Sequence, residues 1–309
     1  MTVISTLQRC GETYQSKIAL QDHTDLQDID LKQDKVSPDH SPMMFFDLET
    51  TGLARTSDIL QIAAVSGDEE MNVYMRPTTQ ICLEASAATG MTYIGGVLKH
   101  KGQTVTSVSP EDGLRYFLEF LKKISKPILV GHNVQNFDVP VLVNQLAKYG
   151  LLEHFKENVS GFLDTLKLGK KIWKKGIDVE NYKQETLVKS HRKIEYDAHN
   201  AVADVQSLMQ LYEKKMSDMS SSDDVYALSY YACKSSLDSL VESKVISSQT
   251  LKKLVDCSLS LSKLRCIHKR DPYNGIRNVF SERSDGTKIP RVSKSKIIID
   301  KVVAYMNAQ

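Results

Sequence analysis

Apolar and polar residues alternate with two different periods between residues 43 and 215, which predicts a domain that mixes strands with helices. Short apolar runs predict five strands, at 43–47, 59–65, 71–75, 127–131 and 161–164. Apolar residues three and four apart predict six helices, at 85–88, 111–123, 139–149, 165–173, 184–190 and 200–215. Three early strands followed by alternating helices and strands predict an α/β fold, in which helices flank a mixed five-stranded sheet on both faces.

Two segments of different composition flank this domain, which we place at residues 42–216. Residues 1–41 are polar, with seven acidic and four basic side chains, and predict a flexible leader. The run Ser-Asp-Met-Ser-Ser-Ser-Asp-Asp at 217–224 predicts a linker. We therefore expect residues 217–309 to form a separate accessory region.

Helical spacing dominates this accessory region. It predicts helices at 225–241, 249–264 and 296–306, with Ser248 as the N-cap of the second. Residues 263–301 contain eleven Lys and Arg and four Asp and Glu, a net charge of +7. This excess favours a basic surface that contacts nucleic acid or docks a protein partner, although a solvated helical face has the same composition.

The composition of the whole chain, 41% hydrophobic and 25% charged, is that of a globular protein and excludes disordered and fibrous classes. No apolar run reaches the roughly 18–20 residues that cross a bilayer, and the N-terminus lacks a secretory-signal pattern. The five scattered cysteines contain no C-x-x-C pair, which argues against a disulfide framework and a structural zinc site. We therefore expect an intracellular protein, with nuclear and cytosolic residence both open.

The first chemical motif follows the first predicted strand, where Asp47-Leu-Glu49 precedes Thr-Thr-Gly-Leu at 50–53. Residues two apart in a strand point to the same face, so these carboxylates lie side by side. Buried paired carboxylates repel one another and lose hydration, and a divalent cation relieves both costs. Acids at a strand end can also be solvated, so this motif alone leaves both interpretations open.

Two later stretches also place acids beside core elements. The run Gly-His-Asn-Val-Gln-Asn-Phe-Asp at 131–138 puts Asp138 at the start of a helix and after a strand, where α/β sheets hold their sites; taken alone, this motif is better explained by a helix-capping aspartate. In Tyr-Asp-Ala-His-Asn-Ala-Val-Ala-Asp at 196–204, His199 and Asp204 would diverge by about 140° on a helix. They converge only if His199 lies in a loop before the helix that fixes Asp204. Alone, His199 is an ordinary loop histidine.

Together, four acids and one histidine in this order resemble the DEDDh 3′–5′ exonucleases, a DnaQ-like family with an RNase H-like fold. Asp47 and Glu49 match the first motif, Asp138 the second, and His199 with Asp204 the third.

The resemblance covers residues 43–214, and Gly-Phe-Leu-Asp-Thr-Leu at 161–166 is similar to the family's strand between the second and third motifs. The second motif most resembles the three-prime repair exonuclease branch. The chain is also similar to the exonuclease-like C-terminal region of the long promyelocytic leukaemia protein isoform and its fish relatives.

The resemblance implies hydrolysis of phosphodiesters from the 3′ end of nucleic acid, with release of nucleoside 5′-monophosphates. It implies two Mg²⁺ or Mn²⁺ ions about 3.5–4 Å apart, held by the four acids. Asp47 would bridge both ions, Glu49 and Asp204 would complete the site of the attacking water, and Asp138 would serve the other ion. His199 would take the proton of that water, since histidine titrates near neutral pH.

The resemblance also implies substrate contacts, and single-stranded 3′ ends as the nucleic-acid partner. The turn after the first motif would hold the terminal nucleotide, with Leu53 as an apolar wedge under the base unless it is a core leucine. The residues implied to bind substrate are Thr50, Thr51, Gly52, Leu53, Asn133 and Asn136. A basic run around Trp173 favours phosphate contact, or is a solvated helix; it comprises Lys167, Lys170, Lys171, Lys174 and Lys175.

Two alternatives stay open at this level. One is an exonuclease-like module that has lost activity and binds nucleic acid or protein, because fold does not establish function. The other is an exoribonuclease, as in oligoribonuclease-like relatives, since discrimination at the 2′ position cannot be located from spacing. We favour the enzyme because all five reactive positions are present, and DNA because of the form of the second motif.

Overall fold

The central feature of the fold is a seven-stranded mixed sheet, seen in a computed structural model that describes Val36, Pro38 and residues 41–192, 201–283 and 289–308. Its strands are β1 (Met43–Thr50), β2 (Ile59–Ser66), β3 (Glu69–Met75), β7 (Ser107–Val108), β8 (Ile128–Gly131), β9 (Gly161–Asp164) and β10 (Val225–Tyr226). A second, three-stranded sheet contains β4 (Met91–Ile94), β5 (Val97–His100) and β6 (Gln103–Thr104). The seven-stranded sheet has the order β10-β9-β8-β1-β2-β3-β7.

The predicted fold class is confirmed, and the five predicted strands form the middle of the sheet. β1, β2 and β3 pair antiparallel, whereas β8 pairs parallel with both β1 and β9. The sheet gains two strands that the sequence did not predict, because β7 and β10 are two-residue edge strands too short to have a periodic pattern. The three-stranded sheet was also not predicted: β4 and β5 have four residues each, and their residues include polar and exposed side chains rather than a continuous apolar run.

The helices of the unit Lys35–Tyr231 agree with the six predicted ones within about two residues, with one addition. They are α1 (Leu83–Thr89), α2 (Pro110–Ile124), α3 (Asp138–Lys148), α4 (Leu152–Glu157), α5 (Thr165–Ile172), α6 (Gln184–Arg192) and α7 (Ala201–Lys215). The short α4 was not predicted. Ser109 caps α2 by accepting the amide of Asp112, and Asp164 caps α5 by accepting that of Leu166.

Each face of the sheet carries its own apolar core. On one face, Phe46 of β1 packs against Phe117 of α2 in a cluster that also includes residues of α3. On the other face, Phe45 packs against Tyr212 of α7, with 5.6 Å between ring centroids. Alternation along β1 therefore fixes which face receives α7, the helix that carries Asp204.

Close backbone contact joins β8 to β1 just before the second motif. A side chain at Gly131 would overlap Val134 and lie 3.0 Å from the backbone oxygen of Phe46. A larger residue here would force Val134 or the neighbouring strand to shift. The loop that leads to Asp138 therefore starts from a fixed point at the end of the sheet.

The segment predicted as a linker is ordered. Residues 217–224 form two 3-10 turns, Ser217–Met219 and Ser222–Asp224, and lead into β10. Asp224 accepts hydrogen bonds from the amide and hydroxyl of Ser221 and forms a 2.7 Å ion pair with Lys171. Local polar contacts explain why a serine-rich sequence folds here.

The second unit, described from Ala232 onward, is helical; the predicted helix 296–306 is confirmed within one residue, and the other two predicted helices are corrected. The helices of the C-terminal segment are α8 (Leu228–Ser236), α9 (Asp238–Glu242), α10 (Ser248–Asp256), α11 (Leu261–Arg270), α12 (Asn274–Ser281) and α13 (Lys296–Asn307). The predicted helix 225–241 is divided into β10, α8 and α9. The predicted helix 249–264 is also wrong, because Ser258 adopts a left-handed φ of 53° that ends α10 and Ser260 caps α11. The N-cap of α10 is Ser247 rather than Ser248.

Among the described helices, none has the length and apolar character that crossing a membrane would require.

Candidate active site

Three of the predicted acids meet beside the sheet. One carboxylate oxygen from each of Asp47, Glu49 and Asp204 lies within 4.8 Å of the others. β1 supplies the first two from one face, and α7, which packs on that face, supplies the third. A β-bulge follows Glu49, where the register with β2 shifts before Thr50. Bulges commonly re-aim the chain next to active sites.

Asp138, the fourth acid, is the first residue of α3 and is buried. Its carboxylate accepts hydrogen bonds from its own amide and from the amide of Leu48, which lies between Asp47 and Glu49. Burial and the charge of Asp164 together raise the pKa of Asp138 to about 7, although these hydrogen bonds lower it. Asp138 thus belongs to the same charge cluster as the first motif.

The pKa values of Asp47 and Glu49 are raised because the acids of the cluster are buried close together. Burial, followed by the charges of Asp138, Glu49 and Asp204, raises the pKa of Asp47 well above its ordinary value. Burial and then Asp204 and Asp138 raise the pKa of Glu49 to about 8. Several carboxylates that lose hydration and repel one another are therefore held together by the fold.

The donor set fits hard divalent cations. All the converging ligand atoms are carboxylate oxygens, which suit Mg²⁺ and Mn²⁺ and do not suit soft metals. A cation between them would offset the repulsion that raises these pKa values.

A residue that the sequence analysis missed holds Asp204. Gln184, the first residue of α6, donates from Nε2 to the Asp204 carbonyl oxygen at 2.9 Å and to its carboxylate at 3.2 Å. The helix at 184–190 was predicted, but no sequence signal connected its first residue with Asp204. Such outer hydrogen bonds orient metal-binding carboxylates.

The second-motif loop is held by Asp164, which is 2% exposed. Its carboxylate accepts the backbone amides of Asn133 at 3.0 Å and Gln135 at 3.4 Å while it also caps α5. Asn133 adopts a left-handed φ of 63°, and its side chain accepts a hydrogen bond from exposed Asn136 at 2.9 Å. The two predicted substrate-binding asparagines therefore form one surface pair.

The turn after the first motif contains both buried and exposed groups. Thr50 and Thr51 are buried; the Thr50 hydroxyl donates to the Gly52 carbonyl at 2.8 Å. Leu53 is 88% exposed, which rules out the core alternative. The amide of Cys82 donates to the Thr51 carbonyl at 2.9 Å, and this places the next residue, Leu83, beside the turn.

Leu83 is 83% exposed and was not predicted as a site residue. With Leu53 it gives this edge of the domain two unusually exposed leucines. Leu83 is the first residue of α1 but lies two residues before the predicted helix 85–88, so the sequence gave no signal for it.

The predicted basic run is partly committed to internal contacts. Lys167 lies over the ring of Tyr226 and contacts Gln135, and Lys171 pairs with Asp224. Lys174 and Lys175 are exposed.

Two predictions lie outside the described residues. His199 belongs to residues 193–200, and the predicted leader 1–41 is described only at Val36, Pro38 and Ser41.

Comparison with protein families identifies the larger unit. The exonuclease family model named RNase_T matches residues 44–212, more than half of the chain. The chain belongs to the exonuclease family. The matched region contains all four acids and His199, so the resemblance drawn from the three motifs is confirmed.

The C-terminal unit of this exonuclease-family protein matches a second model. The model described as the PML C-terminal domain covers residues 233–309. Protein PML of Homo sapiens is 26% identical over 239 residues, which cover 76% of this chain and 24% of that protein. Protein PML of Mus musculus is 24% identical over 237 residues, with the same coverage. The chain thus spans about a quarter of the length of these relatives.

Solved structures similar to the chain include bacterial exonuclease I. Exonuclease I of E. coli in complex with a dT13 oligonucleotide is 20% identical, with a TM-score of 0.46. Exonuclease I of Methylocaldum szegediense is 18% identical, also with a TM-score of 0.46. Each match covers 58% of this chain and 42% of the other.

Proposed function

We propose that this protein is a metal-dependent 3′–5′ exonuclease that prefers DNA and releases nucleoside 5′-monophosphates. The observation that carries the proposal is the approach of the Asp47, Glu49 and Asp204 carboxylates to within 4.8 Å of one another. Buried carboxylates this close together destabilise the fold unless a cation neutralises them. The match to the exonuclease family supports a catalytic role for the cluster.

The four acids would hold two Mg²⁺ or Mn²⁺ ions: Asp47 between both, Glu49 and Asp204 on one, and Asp138 on the other. Bound cations would neutralise the carboxylates and polarise the scissile phosphodiester. Gln184 would keep Asp204 directed into the cluster, and Leu48 would do the same for Asp138 through its amide. His199 would accept the proton of the attacking water.

The terminal nucleotide would lie against the turn formed by Thr50, Thr51, Gly52 and Leu53. The exposure of Leu53 supports its role as an apolar wedge under the base. The buried threonine side chains would fix the turn, so that its surface rather than their hydroxyls meets the substrate. Asn133 and Asn136 would contact the sugar or phosphate.

The C-terminal residues 217–309 would extend this substrate surface or dock a protein partner. Lys269 and Arg270 are exposed at the end of α11 and offer a direct test. If the region binds phosphates, changing both to Glu should weaken oligonucleotide affinity and reduce its dependence on salt. Unchanged affinity would favour protein docking.

The decisive experiment follows single-stranded DNA and RNA of one sequence, labelled at the 5′ end, with Mg²⁺, Mn²⁺ or EDTA. We expect a ladder of progressively shorter labelled DNA that EDTA abolishes. Asp47→Asn and His199→Ala should each slow it by more than about 100-fold, while Asp112→Asn, a surface control on α2, should not.

The other outcomes separate the alternatives. A ladder on RNA alone identifies an exoribonuclease. Equal inactivity of wild type and both site variants, with oligonucleotide binding retained, identifies an inactive binding module.

A further inference from the structure

A buried glutamine lies across the sheet from the acidic cluster. Gln61 of β2 is 0% exposed and is paired in register with Glu49 of β1 on one side and Tyr74 of β3 on the other. Directly opposed residues point to the same face, with Cβ atoms about 4.5–5.5 Å apart. The amide of Gln61 is therefore the neighbour of the Glu49 carboxyl on the face that carries the site.

Neighbouring side chains fix the orientation of this amide. Gln61 donates from Nε2 to the side-chain oxygen of Asn72 at 2.8 Å. The side chain of Asn72 is also hydrogen-bonded to the Tyr74 hydroxyl. Burial, and to a smaller extent the charge of Glu49, raises the pKa of this hydroxyl, which places Tyr74 near Glu49 as well. With its nitrogen committed to Asn72, Gln61 presents its oxygen away from that partner.

No donor in the part of the chain that the structure describes reaches that oxygen. The Oε1 atom of Gln61 is buried and has no hydrogen-bond partner among the described residues. A buried acceptor without a donor destabilises a fold, and an apolar side chain in the same strand would avoid the cost. Leu60 and Ile62, its neighbours in β2, are indeed apolar and fully buried.

We propose that Gln61 is a positioning residue for Glu49: its amide oxygen accepts a hydrogen bond from a water molecule that also donates to the Glu49 carboxylate. Water suits this place because it can donate one hydrogen to each of two acceptors. The inference rests on the proposed function, since a fixed Glu49 matters when its carboxylate binds a cation. Asn72 contributes only by holding the Gln61 amide.

The test measures Mn²⁺ affinity by calorimetry and thermal stability for the full chain. Gln61→Met keeps the length of the side chain and removes the acceptor, and we expect Mn²⁺ affinity about tenfold weaker. Asn72→Ala frees the amide and should weaken affinity about threefold. Because Asn72 acts through Gln61, the double variant should lose no more than Gln61→Met alone.

Gln145→Met is the matched control, since Gln145 is a buried glutamine of α3 that donates to the Ser57 carbonyl at 2.8 Å. It should lower thermal stability and leave Mn²⁺ affinity unchanged. If Gln61→Met fails to fold, the Mn²⁺ affinity of Asn72→Ala, a change at an exposed residue, still tests the proposal.

Two outcomes overturn the proposal in different ways. Wild-type affinity in Gln61→Met and Asn72→Ala, beside loss of binding in Asp47→Asn, refutes the role of Gln61 alone. Equal Mn²⁺ affinity in wild type and Asp47→Asn refutes the cation site, and the role of Gln61 with it.

Discussion

Gln184 holds Asp204 by two hydrogen bonds from one side-chain nitrogen, to the backbone carbonyl at 2.9 Å and to the carboxylate at 3.2 Å. The start of α6 thus fixes the acid that α7 contributes to the cluster. A carboxylate oriented before a cation binds loses less conformational freedom on binding.

We expect Gln184→Met to weaken Mn²⁺ affinity about tenfold, because Asp204 gains freedom to turn away. Gln184→Glu should weaken the hold further, since it places an acceptor against two acceptors. Calorimetric Mn²⁺ titration measures both. Gln206→Met is the control. Gln206 lies on α7, the helix of Asp204, but its side chain is exposed and donates to Glu70 instead of Asp204. Equal affinities in all three variants would contradict a positioning role.

The sequence predicted the parts of the site that depend on local geometry or on motif order. Asp47 and Glu49 share a face because strand side chains repeat every two residues, and their carboxylate oxygens converge in the cluster. The meeting of Asp204 with them requires α7 to pack on that face, which the motif order implied and no spacing rule gives.

Supporting residues could not be predicted, because they depend on contacts between separate elements. Gln61 faces Glu49 through strand register, and Gln184 reaches Asp204 through the packing of α6 against α7. Asp58 is another case: its partners lie 20 and 21 residues away in sequence. The helix break at Ser258 escaped prediction because a serine seldom adopts positive φ.

Thermal stability without divalent cations should depend on pH. Burial and then neighbouring charge hold the pKa of Glu49 at about 8, and burial with Asp164 raises that of Asp138 to about 7, against unfolded values near 4. The folded state therefore binds more protons, and stability present below about pH 4 is lost as pH rises through 7 and 8.

We expect the melting temperature in EDTA to fall between pH 6 and pH 9, and the fall to be smaller in Glu49→Gln. Added Mg²⁺ should raise it more at pH 9 than at pH 6, because a cation binds the ionised carboxylates. Scanning calorimetry in matched buffers measures this, with Asp112→Asn expected to follow wild type. A melting temperature in EDTA that rises across this range would contradict the linkage.

Leu53 and Leu83 should contribute to substrate affinity and little to stability. Their exposures, 88% and 83%, mean that folding buries little of either side chain. Contact with a base would bury one of them, so we expect Leu53→Ala and Leu83→Ala each to raise the KM for single-stranded DNA about tenfold. Met219→Ala, at a 60% exposed residue after α7, is the control. Loss of stability without a change in KM would contradict the role.

The turn after the first motif depends on Asp58, which is 1% exposed. Its Oδ2 accepts the amides of Thr78 and Thr79, both at 2.7 Å, and also their hydroxyls. Its own backbone pairs with Thr51, since its amide donates to the Thr51 hydroxyl and its carbonyl accepts the Thr51 amide. One buried carboxylate therefore joins the turn to the loop before α1.

Asp58→Asn should destabilise the protein by about 2–4 kcal/mol. Donors surround both oxygens, with Gln145 at 3.4 Å from Oδ1, so the Asn amide nitrogen would face a donor in either orientation.

Burial alone would raise the pKa of Asp58, but the threonine hydrogen bonds outweigh it and lower the pKa. The stabilisation is therefore present at neutral pH and lost as pH falls through the folded-state pKa. Urea unfolding should show a larger difference from wild type at pH 7 than at pH 3, because the unfolded carboxyl begins to bind its proton below about pH 4, while Asp112→Asn changes little at either pH. A difference that persists undiminished at pH 3 would mean that shape, rather than charge, makes Asp58 the anchor of the turn.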